Sequence, residues 1–218
     1  MTTRIGLISD IHAAPAPLEQ ALSDLQAAGV NQIFCLGDIA GYGDALEQTV
    51  RLLQKNNCQC ILGNHELWYL ERNVDESDSG FIKAYFEQLP HYIEFEAEGR
   101  RIYLVHASPP DLSTGGIRLL DEYGTLLQQE QQQWSQQLAQ FDYDVLIVGH
   151  THQVFAERLG SMLVINPGST VYNHSCAILN LPAMTVEWLP LSGRSIRKAW
   201  NWGMNVNRAG LNGSTDDE

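Results

Sequence analysis

Short apolar runs that each end in Asp, Asn or His place the strongest constraint on how this chain folds. Asp10 and His12 follow a run that begins at Ile5, and Asp38 follows a run that begins at Val30. Three further runs end in the same way and lead to Asn64 with His65, to His106, and to His150 with His152. Because ligands of open α/β sheets bind beyond the carboxyl ends of the strands, we expect these side chains to converge.

The first sixty residues alternate between apolar runs and stretches of helical periodicity. Strands are predicted at 5–9, 30–36 and 58–62, and helices at 15–28 and 44–55. This alternation is typical of a mostly parallel sheet with crossover helices, so it indicates an α/β fold.

The second part of the chain mixes helical and strand patterns. A helix is predicted at 81–89, a hairpin at 92–105, a long loop at 109–124 and an amphipathic helix at 125–141. Short strands with a turn at Asn166–Ser169 complete the predicted pattern, at 145–148, 154–156, 162–165, 177–180 and 185–189. Residues 1–200 are predicted to form one domain and residues 201–218 a flexible tail.

Composition limits the partners and the location. The chain has 218 residues and a formal net charge of −13, which disfavours non-specific binding to nucleic acid or to an anionic membrane. We find no secretory signal pattern and no apolar run of membrane-spanning length, and the four cysteines lie in or beside apolar runs. These features predict a cytoplasmic protein without a disulfide framework.

The clustered residue types are those that bind divalent first-row metals. Imidazole and carboxylate groups are present, and thiolates are absent from the clusters. In an extended chain alternate residues share a side, so Asp10 with His12, and His150 with His152, each present two groups to one crevice. Spacing leaves open whether such a pair binds one ion or two. Two metals about 3.5–4 Å apart favour phosphoryl displacement, because they generate hydroxide and stabilise both reacting oxygens.

Five motifs occur in order along the chain: Asp10-Ile11-His12, Gly37-Asp38-Ile39-Ala40-Gly41, Gly63-Asn64-His65-Glu66, His106 and Gly149-His150-Thr151-His152. They resemble those of the calcineurin-like metallophosphoesterases. The Asn166-Pro167-Gly168-Ser169 segment and the compact length further resemble the small bacterial and archaeal phosphodiesterase-like branch of that family. The resemblance implies a four-layer α/β/β/α sandwich of two mixed β-sheets flanked by helices. It also implies two divalent metal ions per chain, with Mn²⁺ as the first choice and Fe²⁺, Zn²⁺, Ni²⁺ or Mg²⁺ as alternatives.

The same resemblance assigns roles to individual residues. Asp10, His12 and His152 would hold one ion, and Asn64, His106 and His150 would hold the other. Asp38 would bridge the two ions. His65 would not be a ligand, because its role would be to stabilise the transition state and protonate the leaving oxygen.

The chain departs from the serine/threonine protein phosphatases of this family at two motifs. Ser9 stands where those enzymes have Gly, and Gly41-Tyr42 replaces an Asp-Arg pair that orients the catalytic His and grips phosphate. A protein phosphatase is therefore disfavoured, and the residue that orients His65 is not identified. Tyr42, which can stack on a ring, and Arg118, which can pair with phosphate, are candidate substrate contacts. An exposed tyrosine and a solvated arginine without a role in the site are the equally weighted alternatives.

Three functions compete on this basis. The first is hydrolysis of a small phosphodiester or nucleotide, with attack on phosphorus by a metal-bound hydroxide and with His65 as the acid. The second is phosphomonoesterase activity on a nucleotide or phosphoprotein, and the third is a non-catalytic metal-binding scaffold. The Cys58-x-Cys60 pair resembles half a zinc site, but no second pair has a matching spacing, so we expect it to belong to the core.

Overall fold

Two five-stranded sheets form the centre of the molecule. The computed structural model describes residues 2–72 and 80–200, so the predicted tail at 201–218 lies outside the described residues. Within those ranges the chain forms ten strands and five helices.

The first sheet combines strands from both ends of the described chain. Its members are β1 (Thr3–Ile8), β2 (Gln32–Cys35), β3 (Gln59–Cys60), β9 (Ser175–Leu181) and β10 (Thr185–Pro190), in the order β10-β9-β1-β2-β3. β1, β2 and β3 run parallel, while β9 pairs antiparallel with both β1 and β10. The carboxyl ends of the three parallel strands therefore meet at one edge.

The second sheet has the same mixed character. Its members are β4 (Tyr92–Ala97), β5 (Arg100–Val105), β6 (Val145–Ile147), β7 (Val154–Leu159) and β8 (Met162–Pro167), in the order β4-β5-β6-β8-β7. β5, β6 and β8 are parallel, and β4 and β7 are antiparallel edge strands. The predicted hairpin is confirmed as β4 and β5.

The two sheets pack face to face. Ile5 and Leu7 of β1 lie in the same fully buried cluster as Ile102 and Leu104 of β5, because alternate residues of a strand face one side. The outer face of the first sheet packs against α1 (Pro15–Ala27), α2 (Leu46–Lys55) and α4 (Phe81–Phe86), and that of the second packs against α5 (Gln128–Gln137). The four-layer α/β/β/α sandwich is confirmed.

One helix was not predicted from the sequence. Helix α3 (Asn64–Glu71) begins immediately after Gly63, where the polar motif indicated only a turn. The side chain of Glu66 folds back to the start of this helix, and its Oε2 accepts a hydrogen bond from the Gly63 N–H at 2.8 Å. A glutamate in this position satisfies an amide that the first helical turn leaves unpaired.

Other differences concern boundaries. Helix α5 is shorter than the predicted 125–141, and none of its residues is buried. Asn166 and Pro167 end β8 and are not part of a turn, and β3 is shorter than predicted. The four cysteines are free thiols, and Cys60 lies in the core with Cys58 packed against it. Within the described ranges, no helix has the length and apolarity required to cross a bilayer.

Candidate active site

The five motifs meet at the carboxyl ends of strands from both sheets. The loops after β1 and β2 are joined by a hydrogen bond from the His12 N–H to the Asp38 carbonyl oxygen, at 2.9 Å. The Gly149 N–H donates to the His106 carbonyl oxygen at 2.8 Å, which joins the loops after β5 and β6. The His150 N–H donates to the Asp10 carboxylate at 3.1 Å and connects the two sheets across the site.

Asp10, His12 and His152 form one group of potential metal ligands. The Nε2 atoms of His12 and His152 are 3.0 Å apart, and Nε2 of His152 lies 3.3 Å from Oδ1 of Asp10. All three side chains are buried. The three residues that the family pattern assigned to one ion are therefore together.

A second group lies beside the first. Ligand atoms of Asp38, His106 and His150 all lie within 4.8 Å of one another. Nε2 of His106 is 3.3 Å from Oδ1 of Asp38 and 3.2 Å from Oδ1 of Asn64. The structure thus brings together all seven residues predicted as metal ligands.

His65 lies next to Asp38, at the edge of the two groups. Its Nε2 is 3.9 Å from Oδ2 of Asp38, and its backbone N–H donates to Oδ1 of Asp38 at 3.0 Å. His12, Asp38 and His65 also form a third set of ligand atoms within 4.8 Å of one another. The geometry therefore permits His65 to act as a ligand as well as a proton donor.

Two aromatic rings lie against the ring of His65. The space beside His65 at position 41 is also too small for a carboxylate side chain unless neighbouring atoms move. The His65 ring lies 4.8 Å from Trp68 and 4.9 Å from Tyr42, measured between ring centroids. A Cβ at Gly41, where φ is +139°, would stand 3.0 Å from His65 Nδ1 and 2.5 Å from His12 Nδ1. The ring of His65 is thus oriented by packing against aromatic neighbours, a role for which the sequence alone identified no residue.

The histidines differ strongly in protonation. Burial lowers the pKa of both His12 and His150 to about 4, so both rings are neutral near pH 7. Burial would also lower the pKa of His106, but the adjacent Asp38 carboxylate outweighs it and raises this pKa to about 9. Burial would raise the pKa of Asp10 and Asp38, but the neighbouring imidazoles hold both below the ordinary value.

The donor set fits divalent metal ions. Nδ1 of His12 lies 3.2 Å from the Ala40 carbonyl oxygen, and Nδ1 of His106 lies 2.5 Å from that of Leu36. Each Nδ1–H donates to its carbonyl, which directs Nε2 into the centre, as is usual for metal-binding histidines. Nδ1 of His150 is buried and has no hydrogen-bond partner among the described residues, so it too is a potential ligand atom.

The backbone of the site is conformationally unusual. Five of the seven predicted ligands have φ between +49° and +64°, a region that non-glycine residues seldom adopt: Asp10, His12, Asp38, His150 and His152. Such conformations cost of order 1–3 kcal/mol each and persist where the surrounding structure enforces them, chiefly at functional sites.

Glu66 connects the motif that contains Asp38 to the motif that begins at Gly63, through hydrogen bonds to backbone N–H groups. Its fully buried carboxylate accepts hydrogen bonds from the N–H groups of Asp38 and Gly63 at 2.8 Å and of Ala40 at 2.7 Å. Burial and the nearby Asp38 raise its pKa to about 7, whereas the amide donors favour the ionised form. Glu66 therefore holds the Asp38 loop against the start of α3.

A cleft of about 210 Å³ opens above the clustered ligands, and both predicted substrate contacts, Tyr42 and Arg118, line it. Ile117 and Leu119 are fully buried in the core of the second sheet, and the exposed Arg118 lies between them. The buried Gln153 fixes this segment, because its Oε1 accepts hydrogen bonds from two consecutive backbone N–H groups at 2.8 and 3.0 Å.

The sequence did not predict two tryptophans in the cleft. Trp68 lies one turn after His65 on α3, so predicting that helix would have found it. Trp200 is positioned by its backbone N–H, which donates to the His152 carbonyl oxygen at 3.0 Å. Its ring stacks on Tyr172, and the Tyr172 ring stacks on that of His152. No pattern in residues 190–200 indicated this role.

Comparisons with known proteins agree with the observed fold. An uncharacterized protein of Methanocaldococcus jannaschii is 28% identical over 183 residues, which cover 75% of this chain and 68% of that protein. A metallophosphoesterase from Sphaerobacter thermophilus superposes with a TM-score of 0.66 and 24% identity, covering 88% of this chain and 89% of that one. An archaeal phosphodiesterase superposes with a TM-score of 0.55 and 20% identity, covering 87% and 100%.

The family model described as the calcineurin-like phosphoesterase superfamily domain matches residues 3–181, which include every predicted metal ligand. The chain belongs to this superfamily and is a metal-dependent phosphoesterase.

Proposed function

We propose that this protein is a two-metal hydrolase of small phosphodiesters or nucleotides. The observation that carries the proposal is the pair of ligand groups, each with an aspartate and two histidines, that meet beside His65 in an open cleft. A small phosphorylated substrate fits a cleft of about 210 Å³ better than a bulky polyanion, which the net charge of −13 also disfavours.

Two divalent cations are proposed, with Mn²⁺ as the first choice. Asp10, His12 and His152 would hold one ion, and Asp38 would bridge it to the other. Asn64, His106 and His150 complete the second set of ligands. When bound, such ions activate water near neutral pH and neutralise charge that develops on the phosphoryl oxygens.

The remaining roles belong to side chains of the cleft. His65 is proposed to donate a proton from Nε2 to the leaving oxygen, since this atom faces the centre at 3.9 Å from Asp38. Arg118 is proposed to bind a phosphoryl oxygen of the substrate. Tyr42 is proposed to contact a different part of the substrate, outside the phosphoryl group. We also propose a cytoplasmic location and no non-specific binding to nucleic acid or membranes.

Hydrolysis of bis-p-nitrophenyl phosphate by purified, Mn²⁺-loaded protein tests the function. We expect turnover that disappears on chelation and returns with added metal. Parallel assays with p-nitrophenyl phosphate separate the diester from the monoester hypothesis. Absence of turnover on every diester and monoester, with metal bound, would contradict the proposal and favour the scaffold.

A further inference from the structure

A second chamber adjoins the metal cleft, and no part of the substrate has so far been assigned to it. It has a volume of about 320 Å³, near the lower end of the usual range for ligand pockets. Its lining includes Tyr42, Leu46, His65, Trp68, Tyr69 and Arg72. Tyr42, His65 and Trp68 also line the metal cleft, so the two spaces share one wall.

The chemistry of the chamber suits a flat aromatic group. Trp68 is 47% exposed, and Tyr42 is 55% exposed even though its ring also contacts those of His12 and His65, so both side chains present aromatic surface to solvent. Arg72 adds a guanidinium, which can stack on a ring or bind an acceptor atom. Among the described residues that line the chamber there is one cation, Arg72, and no carboxylate.

Another depression, which shares Arg118 and Trp200 with the metal cleft, has a different character. Its lining includes Asp121, Glu122 and Glu130. These carboxylates would repel a phosphorylated group. Of the two spaces that adjoin the cleft, the chamber with Tyr42 and Trp68 is therefore the better site for a base attached to phosphate.

The position of His65 indicates which part of the substrate enters the chamber. This residue lies on the wall common to the chamber and the metal cleft. If His65 protonates the leaving oxygen, the group attached to that oxygen extends past His65 and into the chamber. The group that stays on phosphorus then remains in the metal cleft, which Arg118 also lines.

We propose that this chamber binds the leaving group, and that preferred substrates are phosphodiesters whose leaving alcohol carries a nucleobase. The base stacks on the exposed rings of Trp68 and Tyr42, and Arg72 also lines the chamber. This proposal rests on the proposed function for the identity of the leaving group, but base binding in the chamber does not depend on turnover.

The first experiment measures base binding without catalysis. Adenosine is titrated calorimetrically into the full-length, chelator-treated protein and its variants. We expect the dissociation constant to rise about tenfold in Trp68→Ala and in Tyr42→Ala, and less than threefold in Trp68→Phe, which retains a ring. Trp134→Phe is a change on α5 outside the chamber, and it should leave the dissociation constant of adenosine unchanged. Absence of saturable binding to the wild type, or equal affinity in Trp68→Ala, would overturn the proposal.

The second experiment separates stacking from orientation of His65. Thymidylyl-(3′→5′)-thymidine and thymidine 3′-methyl phosphate are compared by the rate at which each forms thymidine 3′-phosphate, a product whose formation releases thymidine from the first and methanol from the second. We expect Trp68→Ala to lower kcat/KM about tenfold more for the dinucleotide than for the methyl ester. An equal decrease for both would show that Trp68 only orients His65, and would overturn the chamber proposal while the hydrolase stands. Adenosine binding with no turnover of any ester would instead support base binding in the chamber and contradict the proposed hydrolase.

Discussion

At the scale of single residues, the metal-facing histidines are oriented by the backbone. The Nδ1 atoms of His12 and His106 face the carbonyl oxygens of Ala40 and Leu36, and these carbonyls belong to the loop that also carries Asp38. One loop therefore carries the Asp38 carboxylate and orients a histidine in each ligand group. Such partners fix both the tautomer and the direction of the lone pair before any metal arrives.

Metal affinity is expected to depend on pH through His106. Asp38 raises its pKa to about 9, so Nε2 carries a proton at pH 7 that an incoming metal must displace. Affinity for Mn²⁺ should therefore rise about tenfold per pH unit from neutral pH to about 9, and then level off. Calorimetry in two buffers of different ionisation enthalpy should count about one proton released at this residue. Affinity that is constant over this range would contradict the assignment.

Replacing His65 distinguishes a proton donor from a ligand. His65→Asn should lower kcat roughly 10²–10⁴-fold, because a positioned acid contributes about this much. The number of Mn²⁺ ions bound, measured by calorimetry, should remain two. Loss of one ion would instead show that His65 is a metal ligand, as its position beside His12 and Asp38 permits. Unchanged turnover would exclude the proposed acid.

At the scale of secondary-structure elements, the short helix α3 does most to organise the site. It carries Asn64 in the second ligand group, His65 beside Asp38, and Trp68 on the wall of the chamber. Glu66, in the same first turn, binds the backbone on both sides of Asp38. A displacement of this helix would therefore disturb metal binding, proton transfer and substrate contact together.

Glu66→Gln should destabilise the protein by roughly 2–4 kcal/mol, because three buried N–H groups lose a carboxylate acceptor. Urea unfolding measures the loss. Glu71→Gln is the matched control, since Glu71 is an exposed glutamate on the same helix. If the two variants lose equal stability, Glu66 does not hold the Asp38 loop as described.

The sequence predicted strands more reliably than the elements that begin with polar residues. Apolar runs identified most strands, because a buried strand requires a continuous apolar stretch. Helix α3 was missed because its first residues are polar and face the site, which leaves little amphipathic pattern there. Pairing into two sheets was implied by family resemblance alone, since the pairing of β1 with β9 joins residues more than 160 positions apart.

At the scale of the whole molecule, the site lies where the two sheets meet. Asp10 and Asp38 follow strands of the first sheet, and His106 and His150 follow strands of the second. Metal ions would therefore connect both halves of the sandwich. All seven candidate ligands could be predicted from the sequence because each follows an apolar run, and the structure brings them together. The aromatic walls could not, because Trp68 and Trp200 follow no such pattern.

Metal binding should stabilise the entire fold. Free Mn²⁺ at a hundred times its dissociation constant is expected to add about 2.7 kcal/mol per site to the free energy of unfolding. Urea unfolding with Mn²⁺ and with chelator measures this difference, and a single transition is expected for one domain. His12→Asn should reduce the gain, whereas His174→Asn should not. Two separate transitions would contradict the single-domain prediction.

The close approach at Gly41 also limits how the site can be redesigned. A side chain there would meet both His12 and His65, at 2.5 and 3.0 Å from their Nδ1 atoms. The aspartate that orients the catalytic histidine in protein phosphatases therefore cannot be grafted onto this scaffold by one substitution. Conversion between the two arrangements requires that His12, His65 or the backbone at position 41 moves, so a change at Gly41 must be accompanied by changes elsewhere in the site.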